Sequence, residues 1–524
     1  MSARLWFSWL MLSTALLGLG LSPTGEPAPW PRAFYVAADT DTTELKTAIV
    51  MGDSLSQQEE NGELVQFYIG NVEGLQDSTI LRADWAKRFV SREQVLLTGD
   101  VVIVDQGDSL YADTVFYDEI NKIGRALGRV RLSDGEVVAL APSGIYFVDE
   151  KRARFSEGLT LNDSTAEITS RTGSYWTEEK RAELEGTVQL QAERTYMEAD
   201  SLSYFRETEV SIARGNVFIE RLGGEDDAEA DSSIRTLLFS QWAYNDEQAG
   251  LSRIRGRPLL VQLRQDSTDA EVDTLVIQAL YLEAIERDSL SRLVAVDSVQ
   301  VWQRDLAAVA DSVVYERLEP PADTLRADTL AAERVEETRL YRGPILWVEE
   351  TQVSGDTIRV KGQGDDIDSL FVRQGAFVAQ RDTVTERIHQ VKGQNILGVF
   401  EDDSTRTFIA GPNAETIYFR RDEDDQPDGG LQVSGDQAIL RFRGDDPEEI
   451  IFPGEPQGLY YSESLLPSPF QLDGFRWLPE RRPAKATLLR DERVLQRLAS
   501  FADLAEKETS ETGTDPPKDA SRQQ

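Results

Sequence analysis

Few residues in this chain are of a type and spacing that could do chemistry. There is no cysteine, which excludes disulfides, thiol nucleophiles and zinc–thiolate sites. His389 is the only histidine; it has no visible partner for a Ser-His-Asp arrangement and reads as a strand or surface residue. No glycine-rich loop opens a helix, so no nucleotide-binding motif is present. Carboxylates are abundant, with 93 Asp and Glu against 55 Lys and Arg and a net charge of −38. Paired carboxylates can cleave glycosidic bonds, but in so acidic a chain a pair such as Asp365-Asp366 is uninformative. The densest run, Asp422-Glu423-Asp424-Asp425, is the candidate for a divalent cation. It lacks EF-hand spacing and sits beside Pro427 and Gly429-Gly430, so it reads as a solvated loop. The expectation is a non-enzymatic protein with no metal and no cofactor. Its acidity disfavours a nucleic-acid partner, and with lysine rare it fits solvation in a high-salt habitat.

What does recur is a structural mark. Gly70-Asn71-Val72, Gly99-Asp100-Val101, Gly128-Arg129-Val130, Gly158-Leu159-Thr160, Gly186-Thr187-Val188 and Gly215-Asn216-Val217 are spaced 29, 29, 30, 28 and 29 residues apart. Tyr117, Tyr146, Tyr175 and Tyr204 keep the same step, 29 residues each. A fixed period of this length means one supersecondary unit stacked many times. Each unit reads as two strands and two turns. Ser109 to Leu132, for example, has a β-rich run ending at Tyr117, turn residues from Asp118 to Asn121, and a return strand holding Gly128. A glycine within a strand marks a bulge or bend.

After each glycine, apolar residues alternate with others: Val101 and Ile103, Val130 and Leu132, Leu159 and Leu161, Val188 and Leu190, Val217 and Ile219. Period two puts each pair on one face of a strand. Stacked units then line these faces, with the four tyrosines, into one apolar surface, while Arg129, Arg131, Thr187 and Gln189 face water. Such an interior can shelter acyl chains. At roughly 0.8 kcal/mol per CH₂, about a dozen carbons are worth on the order of 10 kcal/mol. The same pattern also fits a closed, dry core.

The organisation expected is a secretory signal and processing region over 1–38 (Arg4, then an apolar run from Trp6 to Leu21, with cleavage after Ala28 or Ala38) and a lead-in over 39–63. A first β segment follows over 64–317, with an acidic loop from Gly223 to Ser232. A Pro- and acid-rich linker over 318–339 precedes a second β segment over 340–483. A helix over 484–507 and a disordered tail over 508–524 end the chain.

The pattern Ala112-Asp113…Tyr117…Gly128-Arg129-Val130, and above all Ala199-Asp200-Ser201-Leu202-Ser203-Tyr204…Ala213-Arg214-Gly215-Asn216-Val217, resembles the OstA-like family. That family includes periplasmic lipopolysaccharide-transport proteins. The later stretches 367–371, 389–395 and 411–418 are similar to its larger two-segment members. The resemblance implies an all-β, elongated antiparallel β-jelly-roll whose interior binds lipid A acyl chains. It implies a periplasmic protein, possible association with the outer membrane, and partners that are other lipopolysaccharide-transport proteins joined by strand addition, with the outer-membrane translocon. Two departures stand out: the units around Ala141-Pro142 and Ser170-Arg171 lack the Ala-Asp pair, and no aromatic-girdled C-terminal barrel follows Trp477. The rival readings are a structural or adhesive repeat protein with a closed core, and a β-helix acting on polysaccharide.

Overall fold

The computed structural model describes residues 49–76, 78–222, 232–266, 272–287, 290–318, 335–363, 366–400, 405–422, 424–443 and 446–499. The expected signal region, residues 39–48 of the lead-in, residues 223–231 of the loop, most of the linker and the tail lie outside them. The described residues are overwhelmingly β, with antiparallel pairing; this is the all-β architecture expected, and no β-helix. They divide into two compact units. One runs to Gly256 and includes Glu283–Ser291; the other holds Arg257–Leu282 and the chain from Arg292.

In the first unit the period becomes a meander of long strands: Glu63–Gln76, Thr79–Phe89, Gln94–Asp105, Asp108–Asp118, Ile123–Ser133 and Val138–Phe147, then Arg181–Ala192, Thr195–Phe205 and Val210–Leu222. The glycine of each unit sits in a break of register, for instance between Leu127 and Val130 or between Arg214 and Val217. There two successive residues take positive φ: Gly128 at 74° with Arg129 at 44°, and Gly215 at 72° with Asn216 at 47°. Only glycine adopts this region freely and asparagine tolerates it. The bulge divides each strand into two arms. The arm before each glycine pairs with the later arm of the neighbouring strand and the arm after it with the earlier arm, and the two resulting rows enclose the core.

The Ala-Asp pair now has a physical meaning. Ala112 is the cross-strand partner of Val101 and Ala199 that of Val188, both pairs inside the core. The aspartate beside it packs against the bulge glycine of a neighbouring strand. A Cβ built on Gly215 would lie 2.2 Å from Asp200 Oδ2, and one on Gly128 2.3 Å from Asp113 Oδ2. Asn216 Nδ2 donates to Asp200 Oδ2 at 3.0 Å, and Arg129 Nε to Asp113 Oδ1 at 2.8 Å. The carboxylate thus holds the bulged backbone's side chain in place. Where the pair is absent the repeat deforms. The return strand expected from Ala153 to Leu161 is two strands, Arg152–Phe155 and Leu159–Asn162, parted at Gly158, the position where the spacing stretches to 30.

In the second unit the same strand style continues, and one sheet is covered on both faces. The cross-strand row Ala307, Trp347, Gln352, Ala379, Gln390, Ile417 belongs to one face. Ala308, Leu340 and Val313, on the opposite face or the adjoining strands, enclose a void of only about 20 Å³. The row is covered by the chain's own segment 466–489. Leu472 packs with Phe377, Ala379 and Ile417, and Leu478 with Ala307, Ile345 and Trp347. Two buried glutamines hold its backbone. Leu472 N–H donates to Gln390 Oε1 at 2.9 Å, Leu478 N–H to Gln352 Oε1 at 2.9 Å, and Gln352 Nε2 to Arg476 O at 2.7 Å. The expected helix over 484–507 is a single turn, Lys485–Leu488, followed by helical residues at 492–499. Asp491 interrupts it and caps the second piece, accepting Arg493 N–H at 2.9 Å.

Candidate functional site

The first unit's inner faces can be read off the strand register. One arm row carries Val95, Tyr117, Gly124, Tyr146, Ala153, Tyr175, Ala182 and Tyr204 as successive cross-strand neighbours. Tyr146 and Tyr175 each lie between glycine or alanine, and Tyr204 between Ala182 and Ser211, so the rings fit side by side. The facing row carries Leu81, Ile103, Leu110, Leu132, Ala139, Leu161, Ile168, Leu190, Met197 and Ile219.

Between these rows the first half of the unit is hollow. A cavity of about 140 Å³ is lined by Val72, Leu81, Leu97, Ile103, Leu110, Leu132, Tyr117 and Tyr146, among others, and its rim includes Leu75, which is 47% exposed. An engineered apolar cavity of about 150 Å³ stays dry and takes up benzene, so this volume suits one stretch of hydrocarbon. Behind it the interior fills. Phe155, Leu184, Met197 and Leu202 are fully buried, and the void beside Tyr175 and Tyr204 is about 10 Å³. Glycines make room for the larger side chains. A Cβ on Gly144 would meet the Phe155 ring at 3.0 Å, and one on Gly173 would meet Leu159 and Leu184 at 2.7 Å.

The free ends of the two arm rows form a mouth. Lys151 Nζ, in a turn of one row, pairs across it with Asp105 of the other. One step on, Lys180 Nζ pairs with Asp134 at 2.9 Å, and Tyr175 donates its hydroxyl to the same carboxylate, whose side chain is 0% exposed. Arg206 reaches Glu136 in the same way. Burial pushes Asp105 up, but hydrogen bonds from Lys151 and Ser78 outweigh it and hold the carboxyl below its usual range. Asp134 is likewise pushed up by burial and held low by Tyr175, the Val137 N–H and Lys180. Burial raises the Tyr175 and Tyr204 phenols.

Of the residues expected to contact lipid, Ile103, Leu132, Tyr117 and Tyr146 line the cavity, and Leu161, Tyr175 and Tyr204 border the small void. Val101, Val130, Leu159, Val188, Leu190, Val217 and Ile219 are buried in packed core. Leu97, Leu110 and Leu75 line the cavity without having been singled out; the alternation of Leu97 with Val95 before Gly99 was the signal. The bridging charges were also missed, although Lys122, Lys151 and Lys180 repeat at 29 residues. Elsewhere, His389 is half-buried, accepts Phe419 N–H at Nδ1 at 3.2 Å and stacks on Tyr418; desolvation pushes its pKa down to about 4. Asp422 Oδ1 accepts the N–H groups of Asp424 and Gln426, closing that loop on itself.

Residues 44–220 match the family model described as OstA-like protein. No curated protein sequence matches the chain. Among solved structures, similarity is found to LptH of Pseudomonas aeruginosa, titled as the LptA-homologous periplasmic component of the lipopolysaccharide transport device. Identity is 18%, with 26% of this chain and 82% of that one covered, at a TM-score of 0.15. The Ala-Asp pairs, the bulge glycines and the cavity all lie within residues 44–220, and that segment of the chain is OstA-like.

Proposed function

We propose that this protein is a non-enzymatic carrier of lipopolysaccharide transport that shelters an acyl chain in the hollow half of its first unit, outside the cytoplasm. The observation that carries this reading is the apolar cavity between the arm rows, bounded by Leu97, Ile103 and Leu132. A repeat protein whose only task is scaffolding gains nothing from leaving that space unfilled, since tight packing is the more stable arrangement. The strand Ser54–Glu60 pairs with residues 63–69, and nearly all its residues are exposed. It offers an edge on which another transport protein, the outer-membrane translocon included, can add a strand. The packed stretch behind the cavity taken alone would suit a closed structural repeat.

The test is photo-crosslinking of lipopolysaccharide from residues replaced one at a time. Capture from Ile103 and Leu132, with none from Val188 or Leu190, is expected. Capture from outward Arg131 alone, or equal capture at all sites, would contradict the reading.

A further inference from the structure

Two positions of the repeat meet in the deep layer of the first unit's interior, next to the bulges. Leu97, Ala126, Phe155, Leu184 and Ala213 occupy one, each 29 residues from the last, and Ala86, Val115, Gly144, Gly173 and Leu202 the other. Strand pairing interleaves them into a single row. Leu97 stands opposite Val115, Val115 opposite Ala126, Ala126 opposite Gly144, and Phe155 opposite Gly173. Phe155 is the one aromatic residue among them, and the strands on either side of it carry the two glycines. Its ring leans toward the hollow half: a Cβ on Gly144 would lie 3.0 Å from Cε1 and 3.1 Å from Cδ1 of Phe155, whereas the room at Gly173 is taken by Leu159 and Leu184. The cavity reaches the strand of Gly144 and goes no further. Tyr146, two residues on, still lines it, as does Leu132, whose cross-strand partner on that same strand is the small, buried Ala139. With Ala139 and Gly144 the strand Val138–Phe147 leaves the interior open on both rows, and the bulk at this level comes from the fully buried Phe155 of the next strand.

We propose that Phe155 is the end wall of the cavity and sets the longest acyl chain that the protein accepts. This rests on the carrier reading and adds to it a selection by chain length. Each methylene that enters an apolar space tightens binding about fourfold. Once the end of the chain meets a close-packed ring, a further methylene must either push the ring off its place or stay in water, and affinity stops rising.

The experiment is titration calorimetry of the full chain and its variants with a homologous series of straight-chain saturated fatty acids. For the parent protein, affinity is expected to rise about fourfold per methylene and then to level off. In Phe155→Ala the rise is expected to continue past that limit, so that an acid two methylenes longer binds the variant about fifteenfold more tightly than it binds the parent protein. Phe155→Leu, which keeps an apolar side chain in the space, is expected to move the limit in the same direction by less, and it decides the matter where Phe155→Ala does not fold. The readout is the length at which affinity levels, which a loss of stability alone does not move. Levelling at the same length in every folded variant, or a parent protein whose affinity never levels, overturns the end wall alone. No binding of any acid by the parent protein overturns the carrier reading together with the end wall.

Discussion

Residues 63–147 and residues 152–222 of the first unit are built from the same repeat, with the same glycine bulges and the same alternation, yet one encloses a cavity and the other a solid core. The difference lies in the side chains that meet between the rows. In the hollow half, Leu97 is flanked by Ala86 and Val115, and Gly124 separates Tyr117 from Tyr146. In the packed half, Phe155 enters the space left by Gly144, Leu159 and Leu184 enter that left by Gly173, and Leu202 and Met197 fill the rest. Bridging charges cross the mouth from the edge of the cavity, at Lys151 and Asp105, to the packed half, at Lys180 and Asp134. The periodic backbone therefore sets the scaffold, and a handful of size choices decides whether a unit is hollow.

Deletions of volume should separate the two halves most strongly. Phe155→Ala removes a fully buried ring from close packing and is expected to cost about 3–5 kcal/mol in denaturant unfolding. Ile103→Ala, at the wall of an existing cavity, should cost under about half of that; equal costs would erase the distinction. Next in size is Asp134→Asn. It leaves Lys180 without its buried partner and is expected to cost about 3 kcal/mol, whereas Asp149→Asn, whose carboxylate is largely exposed, should cost less than about 1 kcal/mol.

Acid should act in the same order. Asp105 and Asp134 both titrate below the ordinary aspartate value of 3.8 in the folded chain. The stability they contribute is present above that value and is lost as pH falls through their folded values. The groups around them are Lys151, Asp108 and Tyr146 at the first bridge, and Tyr175, Lys180, Glu136 and Arg206 at the second. Hydrogen exchange at the turns 148–151 and 177–180 is therefore expected to accelerate below about pH 4, before exchange in the core strands does. Smallest is Asp200→Ala, which withdraws the carboxylate held beside the Gly215 bulge and should cost about 1 kcal/mol.

The sequence made the scaffold readable, because a bulge needs glycine and a half-buried strand needs alternation. Val101, Val130, Val188 and Val217 are all in the core where their position after the glycine places them. Hollowness was not readable, because it depends on which residues meet across the gap, and Gly144 becomes a receptacle only when Phe155 of the next strand arrives. The bridges were visible as a period in lysine but required knowing which turns oppose each other, 46 residues apart. The covering segment of the second unit was read as β segment and helix, since Phe470, Leu472, Phe475 and Leu478 lack both strand and helix periodicity. Its cue was on the sheet instead: successive burial of Ala376 and Phe377, a run with no polar face.

Filling the cavity tests its role most directly. Ile103→Trp with Leu132→Trp places two large rings in the space of about 140 Å³, and equilibrium binding of lipopolysaccharide is then measured beside the thermal midpoint. Binding weakened at least tenfold, with an undiminished midpoint, is the predicted result; unchanged binding by a folded, filled protein would contradict the carrier reading.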